Sequence, residues 1–229
     1  MKEKLIIIGI GTTAYNIFKV VQKYEIHDVI GFAVDEAYRK TDTFCGLPVY
    51  GIDQIPALFD LNTIKVFVAV QWNKLNKDRR DIYNKLKDRN FQFTNIIAPS
   101  AIIHAGCRIG DNCWIADNVV LEVDSVIANN TFVKVGAVIT HFVRIESHCF
   151  ISASSVIAAN AIVGEQSFIG VNATILNGVR IGKKCIVGAS SVVKQDIPDY
   201  TVIKPKIEHD IIQYREDEIE MKLLAFYRK

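Results

Sequence analysis

Three groups of residues in this chain have types and spacings that could do chemistry. The first is the turn Gly9-Ile10-Gly11-Thr12-Thr13, which follows an apolar run, with an acidic pair, Asp35-Glu36, after the next run. Glycines there let a phosphate approach the amides of a helix start, and an acid further on can accept a ribose hydroxyl. The third glycine of the dinucleotide fingerprint is missing, so a full NAD site is not expected and the turn can equally serve packing. Asp35 reads as a ligand, a solvated loop acid or a helix cap. The second group comprises five cysteines and five histidines, His27, His104, His141, His148 and His209. The third is a run of cations from Lys74 to Arg89 with acids interleaved, the pattern of a solvated helix face, from which Arg79 or Arg80 could reach a diphosphate. Trp72, just ahead of it, reads as a packing residue or a base-stacking platform.

The elements that hold these residues follow from periodicity. An aliphatic residue occupies every sixth position from Ile97 to Val193, and the residue four places after each is small or β-branched. A six-residue repeat is a β-helix signature. Three such strands with sharp corners make a triangular coil of about 18 residues, so that residue n stacks over residue n−18 at about 4.8 Å. Cys107, Cys113, Cys149 and Cys185 all fall on the small position and read as interior residues rather than as redox or metal groups. Cys45 lies outside the repeat. By the same rule neither His104 nor His148 stacks over another histidine, so the three converging ligands of a zinc site are not expected and both read as exposed corner residues. His27 and His209 have no partner visible in the sequence.

Ahead of the repeat, apolar runs at 4–10, 29–34 and 64–70 alternate with helical patterns at 12–24, 52–59 and 74–90. That order predicts a small parallel sheet whose ligands sit at the strand carboxyl ends, where Gly9–Thr13 and Asp35 fall. Beyond Pro205, apolar residues at helical spacing predict an amphipathic terminal helix that caps the last coil or packs on a neighbouring subunit. The expected division is therefore 1–96, 97–203 and 204–229. A formal charge of +2 from interspersed acids and bases gives no field for a phosphate backbone, so nucleic acid is not an expected partner. The start is too short an apolar run for a signal peptide and no membrane-spanning run follows, so a reducing, cytoplasmic compartment is expected.

Gly9-Ile10-Gly11, Gly31-Phe32 leading to Asp35, Gly46-Leu47-Pro48-Val49-Tyr50-Gly51, and Ala98-Pro99-Ser100-Ala101 opening the repeat together resemble the hexapeptide-repeat sugar acyltransferases. Those enzymes include sialic acid O-acetyltransferase and the N-acetyltransferases that make diacetylbacillosamine and N-acetylperosamine. The likeness runs over about residues 4–198. It implies a Rossmann-like N-terminal domain holding the nucleotide of a sugar acceptor, a left-handed β-helix, and a homotrimer with acetyl-CoA in the groove between neighbours. It also implies that His141, in Ile139-Thr140-His141-Phe142, is the general base and that the amide of Ala159, one coil higher, meets the thioester oxygen. Gly9, Gly11, Thr12, Thr13, Asp35 and Asn73 become the nucleotide-sugar residues.

The sequence departs from the family pattern in several places. Thr12-Thr13 replaces Gly-His, Gln71-Trp72-Asn73 replaces a usual Gly-Asn, Ala98 replaces a common histidine, and Val202-Ile203-Lys204-Pro205 replaces the usual end motif near the coenzyme's adenine end. Phe142 stands where an acid normally follows the base. The stacking rule offers Asp124, beneath Phe142, as its substitute, with Glu122 second and a backbone carbonyl as the plainer alternative. The activity expected is transfer of an acetyl group from acetyl-CoA to the amine of a nucleotide-linked deoxy amino sugar in surface glycan synthesis, without a metal. The alternatives are O-acetylation of a sialic-acid-like sugar and a non-catalytic scaffold.

Overall fold

The computed structural model describes residues 2–205. Five strands form the first sheet, in the order β3-β4-β2-β1-β5: β1 (Lys4–Ile8), β2 (Asp28–Val34), β3 (Thr43–Phe44), β4 (Leu47–Gly51) and β5 (Ile64–Val68). All pair in parallel except the β3–β4 hairpin. A parallel sheet is covered on both faces, which is why β1 reads as an unbroken aliphatic run from Leu5 to Ile8. Leu5, Ile7, Phe32 and Phe67 pack on one side with helix α1 (Thr12–Tyr24), and Ile6, Ile8, Val66 and Val68 pack on the other with Tyr83 and Leu86 of α3 (Lys77–Asp88).

The helical pattern expected at 52–59 is a 3-10 turn, Ile52–Gln54, followed by the short helix α2 (Ile55–Leu58). The one expected at 74–90 starts three residues late. Lys74, Leu75 and Asn76 all take positive φ, which a right-handed helix cannot accommodate.

From Ile96 onward the chain lays down eighteen two-residue strands in three parallel sheets. Up to Val193 each strand pairs with the one 18 residues away, as in Val120↔Val138 and Phe132↔Phe150, and the last, Val202–Ile203, pairs with Ile186–Val187. The sixth-position aliphatics from Ile115 to Val193 point inward and are buried, whereas Ile103 in the first coil is exposed at the open end of the solenoid. At each corner one residue turns left-handed, again every sixth: Asn112, Asn118, Asp124, Asn130, Gly136, Phe142 and so on to Ser190. Asn, Asp and Gly suit that conformation.

The four repeat cysteines are free, and three are fully buried. Down one interior column Cys113, Thr131, Cys149 and Ser167 donate to the carbonyls of Ala128, Glu146, Gly164 and Gly182. A small side chain with a polar tip thus satisfies a corner carbonyl from inside.

The first sheet docks on one face of the triangular prism. Trp114, Phe132, Phe150 and Phe168 stack outward on that face as a ladder. Phe67 lies flat on Phe132 and half-exposed Trp72 rests on Phe168. The terminal helix expected over 204–229 falls outside the described residues, apart from Lys204 and Pro205, which are irregular. His209 lies there too.

Candidate active site

His141 sits on the corner between the other two faces. Its carbonyl accepts the amide of Asn160 from the coil above. Its own amide donates to Glu122 Oε2 at 3.0 Å, and its Nδ1 lies 3.1 Å from the same oxygen. A carboxylate only accepts, so Nδ1 carries the proton, and Nε2, which has no hydrogen-bond partner among the described residues, keeps its lone pair. Glu122 thereby fixes the tautomer and can stabilise an imidazolium, as the acid of a catalytic triad does.

The partner is therefore not Asp124. Backbone stacking places Asp124 beneath Phe142, but Asp124 is itself a left-handed corner residue (φ 56°) with an exposed side chain, and no contact links it to His141 among the described residues. The longer side chain of Glu122 reaches diagonally across one coil and one residue. Stacking predicts which backbones neighbour each other; side-chain length decides who touches.

Ala159 stacks directly above His141. Its carbonyl accepts from Gly178, while its amide donates to no acceptor among the described residues. An unengaged amide at a corner, one strand spacing from the base, is what an oxyanion needs, and alanine supplies it as well as glycine.

The other predicted residues gather elsewhere. Gly9, Gly11, Thr12, Thr13 and Asn73 line one cleft of about 310 Å³ together with Val34, Tyr38 and Gln71. Gly11 is the N-cap of α1, so the positive end of the helix opens into this cleft. Gly9 (φ 123°) is tied between strands by its bond to the Ala33 carbonyl, and a Cβ there would come within 3.1 Å of the Ala69 carbonyl oxygen. Asp35 lines an adjoining cleft of about 360 Å³ with Tyr38, Asp78 and Asp81, and it is ion-paired with Lys85 at 2.5 Å. Tyr38, exposed between the two clefts, carries no signal in the sequence that singles it out.

Two expectations are corrected. Arg79 is not on a solvated face and cannot reach a diphosphate. It is fully buried, with its guanidinium 4.0 Å above the Phe132 ring, and it donates to the carbonyls of His148 and Cys149. Burial pulls its pKa down to about 9. Arg80, beside it, bonds Gln166 and Asp81. His148 is not an exposed corner residue but is buried under α3, accepting from Asn130 on Nδ1 at 2.8 Å. Burial, with Arg79 and Arg80 nearby, lowers its pKa to about 4. His104 is exposed as expected. No group of three metal-ligating side chains occurs among the described residues, and none of their helices is long and apolar enough to cross a membrane.

The fold is that of a hexapeptide-repeat acyltransferase solenoid. The family described as bacterial transferase hexapeptide (six repeats) matches residues 160–195, and that described as hexapeptide repeat of succinyl-transferase matches 100–134. Among solved structures, PerB from Caulobacter crescentus in complex with CoA and GDP-perosamine is 30% identical, with 87% of this chain and 92% of that one covered at a TM-score of 0.76. A variant of GDP-perosamine N-acetyltransferase from the same organism, also with CoA and GDP-perosamine, is 29% identical over the same shares at 0.78. The acetyltransferase domain of PglB from Neisseria gonorrhoeae is 22% identical, over 87% of this chain and 95% of that one, and shares the fold at 0.76. No curated protein matches by sequence. The chain belongs to the hexapeptide-repeat sugar acyltransferases, with a Rossmann-like sheet followed by a left-handed parallel β-helix.

Proposed function

We propose that this protein acetylates the amino group of a nucleotide-linked deoxy amino sugar, with acetyl-CoA as donor. The observation that carries the reading is His141, held by Glu122 in the tautomer that frees Nε2, beneath the unengaged amide of Ala159. In this reading Nε2 takes the proton from the acceptor amine as it attacks the thioester carbonyl, Glu122 stabilises the imidazolium, and the Ala159 amide meets the negative oxygen. Bound acetyl-CoA supplies the activated acyl group. The cleft at the start of α1 receives the diphosphate of the acceptor, with Gly9, Gly11, Thr12, Thr13 and Asn73 around it and Asp35 beside it. The residue ranges 1–96 and 97–203 then divide capture of the acceptor's nucleotide from chemistry.

The active assembly is a homotrimer. The first sheet covers the face of the prism opposite His141, so the cleft and the base of one chain lie on different sides of a coil whose edge is roughly 20 Å. A neighbour brings the two together. Outward-facing Ile102, Val120, Val138, Val156 and Val192 supply an apolar surface for it. The setting is cytoplasmic, where nucleotide sugars are built for surface glycans such as O-antigen.

The experiment is thiol release from acetyl-CoA with a panel of acceptors: GDP-, UDP- and dTDP-linked 4-amino-4,6-dideoxy sugars, and free sialic acids. Turnover confined to the nucleotide-linked amines is expected. Turnover of sialic acids alone makes it an O-acetyltransferase, and none with any acceptor favours a scaffold. Solution mass tests the trimer.

A further inference from the structure

Phe142 departs from the other residues of its own corner column. At its corner the left-handed position is filled, coil by coil, by Gly106, Asp124, Phe142, Asn160 and Gly178, all at positive φ. Four of the five are types that adopt this conformation readily; a bulky aromatic does so at a cost. Phe142 nevertheless keeps the corner geometry of its neighbours, with φ 59° and its amide bonded to the Val123 carbonyl at 3.1 Å.

Packing within one chain does not repay the strain. The side chain is 54% exposed. The outward aromatics that do pack, Trp114, Phe132, Phe150 and Phe168, are on strands of the opposite face. What the Phe142 ring touches is the His141 imidazole, edge-on at 5.4 Å between centroids and 87° between planes. It also walls a shallow groove of about 310 Å³ with Asp124, Val126, Val143 and the two arginines Arg108 and Arg144. A strained, exposed aromatic beside a catalytic group is a mark of function rather than of folding.

The coil geometry indicates which substrate it meets. The amide assigned to the thioester oxygen belongs to Ala159, one coil above His141, so the donor's reacting end lies above the base. Phe142 is on the same coil as His141, level with the base, where the amine being deprotonated must be. We propose that Phe142 is the acceptor platform: its ring takes the apolar C–H face of the amino sugar and holds the amine at Nε2. A 6-deoxy sugar, with a methyl group in place of a hydroxymethyl, offers the larger apolar face to such a ring. The proposal rests on His141 as base and on an amino-sugar acceptor.

The test uses the full-length protein with acetyl-CoA and GDP-perosamine, or whichever nucleotide-linked amino sugar of the panel the wild type turns over fastest. Phe142→Asn places at the corner the residue found one coil higher at Asn160. Relief of the left-handed strain should raise its melting temperature by roughly 2–4 °C. Its kcat/KM for the acceptor should fall at least tenfold, mainly through KM, with the KM for acetyl-CoA within twofold of wild type. Phe142→Tyr, which keeps the ring, should restore most of the acceptor affinity. An unchanged acceptor kcat/KM in Phe142→Asn, or a loss that falls on acetyl-CoA instead, overturns the platform. His141→Asn run beside it separates the two readings: if that variant is inactive while Phe142→Asn is normal, only the platform fails. If His141→Asn retains turnover, the base assignment fails.

Discussion

Replacing Glu122 by Gln tests the central pair by removing its charge at almost constant shape. The carboxylate oxygen lies 3.1 Å from His141 Nδ1. At that distance a charge and an imidazolium attract by about 1.3 kcal/mol in a water-like dielectric and by about 5 kcal/mol at an effective value of 20. Both side chains are around half exposed, 47% for His141 and 38% for Glu122, which puts the pair near the water-like end. An imidazolium stabilised by about 1.4–2.7 kcal/mol less corresponds to a ten- to hundredfold slower step. The loss should appear in kcat, because the charge on His141 forms as the proton is taken, with KM for both substrates little changed. Thiol release under saturating acetyl-CoA reads it directly. Asp124→Asn is the matched control and should stay within twofold of wild type. A Glu122→Gln enzyme within twofold of wild type, or an Asp124→Asn enzyme that falls as far, refutes the assignment.

His141→Asn should lower turnover by about 10²–10⁴, the range for a lost general base, and shift the melting temperature little because the side chain is exposed; near-normal turnover moves the base elsewhere. Arg79→Ala should cost about 3 kcal/mol in urea unfolding through the lost ring contact, hydrogen bonds and volume. Arg79→Met, which fills the space and removes a buried cation whose Nε and Nη1 have no acceptor, should cost less than half as much, and neither change should alter acceptor KM in the folded enzyme. Equal losses for Met and Ala would show that the charge itself is needed. Buried neutral His148, at about 4 against an ordinary 6.5, makes the unfolded chain take up a proton first as pH falls. Its contribution is present above pH 6.5 and lost on the way down to pH 4, about 3 kcal/mol in all. His148→Gln, which copies the residue one coil above at Gln166, should flatten that part of the pH dependence relative to wild type; parallel curves would mean that His148 does not titrate this way.

The solenoid is legible in the sequence because its repeat is read by steric rules that act within a few residues. A corner every sixth position needs a left-handed residue, and an interior facing three walls needs an aliphatic and then a small side chain, whatever lies far away. The turn at Gly9 to Thr13 is legible for the same reason, as a strand end and a helix start on adjacent residues. Arg79 and His148 escape such a reading because their surroundings come from segments about 70 residues apart. Nothing in a run of alternating cations and acids marks the one cation that will be driven against an aromatic ladder, and the ladder itself looks like ordinary strand composition. Glu122 marks the boundary between these cases. Its coil and its neighbour follow from the repeat, yet the choice between Glu122 and Asp124 turns on one methylene of reach and on a left-handed corner that directs Asp124 away. Phe142 shows the same boundary from the other side: its anomaly exists only against the column of Gly, Asp and Asn above and below it, which becomes visible once the corners are known to be left-handed.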